Sequence, residues 1–299
     1  MFRPLLAARE SPLSKPDYFE TLTFPKLISP KLDGIRCMVF EGVPYSRTGK
    51  IIPSIHAGVL LSDLHGLDGE LIVGNPTDHD VYNRTQSHVM AVDKPSDLHY
   101  YVFDSIVEGF LNDPFNVRLE SLNDYLDVIP GDKIHVIPQY MVHTVEELLK
   151  KEEEFLGQGY EGVILRDPAG RYKNGRSTWR EQIALKLKRE QDDEGMVIDF
   201  IEGVENHNVA EVDELGYSKR SSHQANKIPV GMLGKFKVEF QGQIISVAPG
   251  TFSHEERRWI WDNRDQVRGK ILKFRHFPHG VKELPRQPRA LGFRDKMDM

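Results

Sequence analysis

Lys31-Leu32-Asp33-Gly34-Ile35-Arg36 sets an amine, a carboxylate, a glycine and a guanidinium within six consecutive residues. The lysine is the candidate nucleophile. At an ordinary pKa of about 10.4, only about one lysine in a thousand is neutral at pH 7, so the site must lower that value. Partial desolvation and nearby cations have that effect. Arg36 can supply one such cation, and Lys186 and Lys188 can supply others. Gly34 permits a tight turn and a close approach of the backbone to a bulky ligand.

Leu185-Lys186-Leu187-Lys188 alternates leucine with lysine. In a strand, both ammonium groups then share one face and both leucines face the core. A lysine pair aimed the same way suits a triphosphate. Glu70 and Glu161 each stand at a strand edge beside a glycine, where a carboxylate has room for a ligand. Mg2+ takes oxygen ligands and keeps several waters, so one or two carboxylates suffice. Asn83-Arg84-Thr85 fits a glycosylation pattern, but reads better as a polar loop with Arg84 open to a phosphate.

The elements that must position these groups follow from pattern. Short apolar runs predict strands over 35–40, 67–73, 100–103, 134–137, 162–165 and 183–187. Leu119, Leu122 and Leu126 share one face of a predicted helix over 115–126. A second helix, over 145–155, follows Thr144, with Glu147 completing a capping box. The charged stretch Arg189–Gly195 reads as an interdomain linker. Beyond it come short strands over 196–201, 234–240, 243–247 and 270–274. One helix follows Ser253, is boxed by Glu256 and carries Trp259 and Ile260. The expected domains are residues 1–190, of α+β class with antiparallel sheets and flanking helices, and residues 191–299, a small five-stranded barrel.

Composition narrows the class. The chain has 299 residues, 39% hydrophobic and 28% charged, enough for two cores. A net charge of -6 argues against indiscriminate coating of nucleic acid, though not against a local basic surface. Cys37 is the one cysteine, so an intrachain disulfide and a cysteine-rich zinc site are excluded. No apolar run nears the roughly 20 residues of a membrane span, and the apolar core of Met1–Glu10 is short for a secretory signal. A cytoplasmic protein is expected.

Further motifs stand in order along the chain: Ser46-Arg47-Thr48-Gly49-Lys50, Leu67-Asp68-Gly69-Glu70-Leu71, Tyr101-Val102-Phe103-Asp104, Glu161-Gly162-Val163-Ile164-Leu165-Arg166, and Phe293-Arg294-Asp295-Lys296. Together with the Lys31 and Lys186 segments, the series resembles that of covalent nucleotidyltransferases. These are ATP-dependent DNA ligases, RNA ligases and mRNA capping enzymes. The compact size, Lys219–Gln224 and Pro285–Arg289 resemble most the small DNA ligases of tailed bacteriophages, which would place the protein in a bacterial host's cytoplasm.

The resemblance implies an ATP-grasp-like nucleotidyltransferase domain followed by an OB-fold barrel. It implies a monomer that uses ATP with Mg2+ or Mn2+ and seals nicked duplex DNA. Lys31 matches the nucleophile that becomes lysyl-AMP, and Lys186 and Lys188 match lysines that contact the nucleotide phosphates. Glu161 matches the metal-associated group. Glu70 would touch the metal or the ribose, and Asp33 would orient metal-bound water. Phe103 matches the aromatic that stacks on adenine, with Val163 covering the other face. Ser29 and Pro30 fall where relatives contact the nucleotide, Ser29 at the adenine edge, where acidic residues or threonine are more familiar. Arg47 matches a grip on the nick's 5′-phosphate. Arg294 and Lys296 match a motif that orients departing pyrophosphate. Lys219, Arg220, His223 and Lys227, in the long 203–232 stretch, would form a clasp over DNA, against a plain insertion. The rival readings are an RNA ligase, an mRNA guanylyltransferase using GTP, and a non-catalytic OB-fold binding module.

Overall fold

The computed structural model describes residues 2–12, 15, 17–129, 131–212, 218–221, 226–277 and 284–294. It divides into two compact units, one of residues up to Lys188 together with Val212, the other of Arg189–Glu211 and the described residues from Ser218 on.

The first unit holds two sheets. β1 (Lys26–Pro30), β2 (Ile35–Phe40), β3 (Val43–Ser46), β4 (Leu67–Val73), β5 (Leu98–Ser105), β6 (Ile134–Val136), β7 (Tyr140–Val142), β8 (Val163–Arg166) and β9 (Ala184–Leu187) sort into the orders β3-β2-β4-β5-β6 and β7-β1-β8-β9. Four helices accompany them: α1 (Ile55–Leu61), α2 (Val81–Val89), α3 (Phe115–Asp127) and α4 (Val145–Gly157). Ala57 and Leu61 of α1, Val89 of α2 and Leu122 of α3 pack on the inward residues of the larger sheet. Leu148 and Phe155 of α4 pack with Ile28, Leu165, Leu185 and Leu187 of the smaller one. Thr144 caps α4 through the Glu147 amide, but the Glu147 carboxylate reaches back to the amide of His143. The reciprocal bond of the expected capping box is therefore displaced by one residue.

A buried ion triad ties the two sheets together. Asp104, on β5 and fully buried, accepts from Arg118 Nε at 2.8 Å and Nη2 at 3.1 Å, and from Arg166 Nη2 at 2.5 Å. Arg118 belongs to α3 and Arg166 to β8. Removing the shared carboxylate leaves two guanidinium groups buried without their counter-charge. Asp104→Ala is expected to cost about 3–5 kcal/mol of stability. Urea unfolding checks this, and a loss below about 1 kcal/mol, the scale of a surface pair, would count against it.

The second unit is one sheet of order β14-β13-β10-β15-β16, from β10 (Gln191–Asn206), β13 (Lys227–Phe240), β14 (Gln243–Val247), β15 (Ile271–Phe277) and β16 (Arg286–Phe293). Its edges meet where Ala248, next after β14, bridges Arg289 of β16 in parallel. That is the partly open five-stranded barrel of an OB-fold. α5 (His254–Asp262) begins in a complete Ser253/Glu256 capping box and buries Ile260, while Trp259 stays exposed. α6 (Arg264–Val267) follows and adds Val267 to the same core.

The expected linker over 189–195 is corrected: Gln191–Gly195 is strand, paired with β15. Its charges are matched across strands, Asp192 with Arg275 at 2.6 Å and Asp193 with His276 at 2.8 Å. The stretch Gly203–Met232 prolongs the β10/β13 hairpin, with β11 (Ala210–Val212) pairing β12 (Ser218–Arg220) beyond it. Its described residues make a strand-built arm, not a plain loop.

Candidate active site

The smaller sheet of the first unit shows one face to its core and the other to a cavity of about 630 Å3. Strand alternation decides which residue goes where. Val163 and Leu165 point into the core with Leu185 and Leu187, whereas Ile164, Arg166 and Lys186 line the cavity. The expected adenine cover at Val163 is therefore corrected by one position. Val163 is fully buried in the core, whereas Ile164 lines the cavity together with Phe103 of the larger sheet. Ser29, Pro30, Lys31, Arg36, Glu70 and Phe103 also line this cavity.

The Lys31 ammonium is ion-paired with Glu161, whose other oxygen takes Lys188. Burial alone would lower the Lys31 pKa, but the Glu161 carboxylate outweighs it, aided by Glu70 and Asp33, and holds it above the ordinary value. The expected depression is thus reversed. The Arg36 guanidinium is paired with Asp68, which offsets its field, and Lys188 is bound to the same carboxylate as Lys31. Burial would raise Glu161, yet the two ammonium groups pull it down to about 2. Among the cavity-lining lysines the depressed one is Lys186: burial lowers it first, then Lys31, Arg176 and Lys188.

Around this centre the geometry is braced. Arg36 donates to Asp68 at 2.6 and 2.5 Å and to the Leu5 carbonyl at 3.0 Å. Tyr172 donates to Asp68 and accepts from the Leu5 amide. The segment Leu5–Ala7, which sequence patterns did not mark, is thereby held as part of the cavity wall. The Arg36 guanidinium also lies 4.4 Å from the Phe103 ring centroid, a cation–π support for that ring. Glu70 accepts from the Gly34 amide at 3.0 Å, and burial pushes its pKa up despite Lys31 and Arg36. Gly34 lines the cavity, and packing adds a second reason for a glycine. A Cβ there would sit 2.4 Å from the Leu71 carbonyl, so the glycine lets the Lys31 loop lie against β4.

Among the described residues, no group of three or more His, Cys, Asp or Glu could cage a metal alone. A Mg2+ ion that keeps waters and substrate oxygens asks only one or two carboxylates of the protein; Glu70 lines the cavity, while the two oxygens of Glu161 hold Lys31 and Lys188 and would have to exchange one of them for the ion.

Residues 4–188 match the family model of the ATP-dependent DNA ligase domain. The chain belongs to the ATP-dependent DNA ligase family. It is 29% identical over 200 residues to a DNA ligase of African swine fever virus, covering 62% of this chain and 46% of that protein. The chain thus spans about half the length of the curated viral ligases it matches. Among solved structures, Chlorella virus DNA ligase-adenylate is 29% identical, with a TM-score of 0.56 and 99% of both chains covered. A Lig E DNA ligase, at 22% identity, covers 98% of this chain and 100% of its own, with a TM-score of 0.72, and shares the fold.

In this ligase-family chain the residues expected to meet DNA fall into distinct settings. Arg47 is exposed at the cavity wall. Arg176, which sequence patterns missed, lines the same cavity and donates to the Ala7 carbonyl at 2.6 Å. Burial lowers its pKa, and the positive charges of Arg47 and Arg9 lower it further. Arg84 is corrected: its guanidinium is consumed by Asp78 at 2.6 Å, Asp80 at 2.7 Å and the Val73 carbonyl at 3.0 Å. It fastens α2 to β4 and is not open to a phosphate.

In the second unit, Arg294 pairs with Glu194 at 2.8 Å. Arg220 donates to the Asn208 carbonyl within the arm, and Lys227 pairs in register with Asn206. Lys296, His223 and the side chain of Lys219 lie outside the described residues. No helix among the described residues is long and apolar enough to cross a membrane.

Proposed function

We propose that this chain is an ATP-dependent DNA ligase that seals 3′-hydroxyl/5′-phosphate nicks in duplex DNA. The observation that carries the reading is the meeting, in one cavity, of an amine, an unpaired lysine and two apolar walls. Lys31, Lys186, Phe103 and Ile164 all line the cavity, and Lys186 makes no ion pair among the described residues. A flat purine suits the apolar walls. Its phosphates suit Lys186, whose charge burial makes costly until an anion arrives.

The neutral Lys31 amine attacks the α-phosphorus of ATP. An N–P bond forms, the bond to pyrophosphate breaks, and the amine proton leaves to solvent. The 5′-phosphate of the nick then attacks the same phosphorus and frees Lys31, and the 3′-hydroxyl displaces AMP to close the backbone. Each step is an in-line displacement, so alignment and charge neutralisation dominate. A divalent metal, Mg2+ or Mn2+, held by Glu161 and Glu70, would offset charge developing on the phosphate oxygens. Glu161 places Lys31 and keeps it charged until reaction. Asp33 adds to the negative field at the amine. Arg47 and Arg176 form a seat for the nick's 5′-phosphate, where planar guanidinium donors suit a phosphate. The arm cations Lys219, Arg220 and Lys227 meet DNA phosphates, and Arg294 with Lys296 orients pyrophosphate. The protein acts as a monomer in the cytoplasm.

Incubation with α-labelled ATP or GTP, followed by nicked DNA or nicked RNA, tests the reading. Label from ATP on Lys31 that is discharged by nicked DNA is expected. Label from GTP would mean a guanylyltransferase, discharge by RNA alone an RNA ligase, and no label a binding module.

A further inference from the structure

The cavity face of the smaller sheet carries an ordered row of side chains. Ser29 of β1 lies opposite Ile164 of β8, and Ile164 lies opposite Lys186 of β9. On the other side, Ile28 lies opposite Tyr140 of β7. Continuing that register by one residue sets Gln139 beside Ser29. All four residues line the cavity. Strands lie about 4.8 Å apart, so Gln139 and Lys186 mark ends roughly 14 Å apart. The lysine end suits phosphates, and Ile164, with Phe103 lining the same cavity, offers apolar surface for a flat ring between. The Gln139 end therefore faces the edge of the base.

At that end Gln139 Oε1 is buried and has no hydrogen-bond partner. Buried carbonyl oxygens are almost always bonded, so an orphan acceptor in a ligand cavity points to a donor that the ligand brings. Ser29, next in the row, has a hydroxyl that donates or accepts as required and so cannot choose between bases. Gln139, whose unpartnered atom is Oε1, presents an acceptor there.

We infer that Gln139 is the base-reading residue: its Oε1 accepts a hydrogen bond from the exocyclic 6-amino group of adenine and thereby selects 6-amino over 6-oxo purine nucleotides. This role presupposes the ATP reaction proposed above and names the residue that would choose the base.

The experiment measures equilibrium binding of ATP, purine riboside triphosphate, which lacks the 6-substituent, and ITP, which is 6-oxo. The full chain is used as wild type, Gln139→Met, Gln139→Leu and Gln139→Glu, with Lys31 labelling followed alongside. Wild type is expected to bind ATP roughly tenfold to a hundredfold more tightly than purine riboside triphosphate, the effect of leaving a buried acceptor unpaired. Gln139→Met and Gln139→Leu both remove the acceptor, and either one that keeps the wild-type melting temperature suffices. There the ratio falls to near one, whereas Gln139→Glu, which keeps an acceptor in the same volume, retains it. An unchanged ratio in the folded Met or Leu variant, or a wild type that prefers ITP, overturns the assignment. Because binding and labelling are read separately, an ATP preference that depends on Gln139 without any Lys31 adduct would sink the ligase reaction alone. Labelling with an unchanged ratio would sink the Gln139 role alone.

Discussion

Lys31→Ala is expected to eliminate covalent nucleotide attachment altogether while leaving the fold in place. The loss is total because no other amine shares its position: Lys188 is bound to the far oxygen of Glu161, and Lys186 sits on β9 in the row that faces the phosphates. The fold survives because Glu161 keeps Lys188 as a partner when Lys31 is gone. Lys31→Arg separates charge from nucleophilicity. A guanidinium keeps a cation beside Glu161 but stays protonated at any working pH and cannot attack phosphorus. Both variants should therefore bind ATP within a few-fold of wild type and carry no label on denaturing gels. Either of them labelling at the wild-type rate would show that the nucleophile lies elsewhere. Sealing of a nick supplied already adenylated should persist in Lys31→Ala, since that step no longer needs the amine as leaving group.

Local pattern made much of this site legible. Strand alternation placed Lys186 on one face and Leu185 and Leu187 on the other, and the short-range signals around Ser253 gave a complete capping box. What failed was whatever depended on residues distant in sequence. The carboxylate that reverses the pKa of Lys31 stands 130 residues away, so the nearby cations were weighed without it. Arg36 read as a free cation because Asp68 pairs with it only once β2 and β4 align.

Other errors came from a strand whose exact start the sequence did not fix. The sequence put the strand at 162–165, one residue early, and the apolar Val163 and Ile164 offered nothing to tell cavity from core. β1 was missed because Pro25 and Pro30 frame it and Lys26 interrupts its apolar character. The charged run after Lys188 read as a linker since nothing local says that Asp192 and Asp193 meet Arg275 and His276. Gln139 carried no signal at all. A glutamine after a proline is an ordinary turn until the fold brings it to the cavity that Phe103 also lines.

Glu161→Gln should change stability, rate and pH dependence together, in separable ways. The amide leaves two partly buried ammonium groups without their counter-charge, which costs about 3 kcal/mol at neutral pH. The folded pKa of Glu161 is depressed, so its contribution is full above its ordinary value of 4.5 and vanishes as pH falls through about 2. The stability gap between wild type and variant should therefore close across that acid interval. Adenylation at saturating ATP should drop at least about a hundredfold, the scale for losing one group that positions charge at a phosphoryl centre. The remaining activity should rise with pH earlier than in wild type, because the main cause of the raised Lys31 pKa has been removed. Single-turnover labelling between neutral and alkaline pH, run beside urea unfolding between pH 2 and 7, checks all three. A rate profile that rises at the same pH in both proteins would mean that Glu161 does not control the protonation of Lys31, whatever happens to the rate.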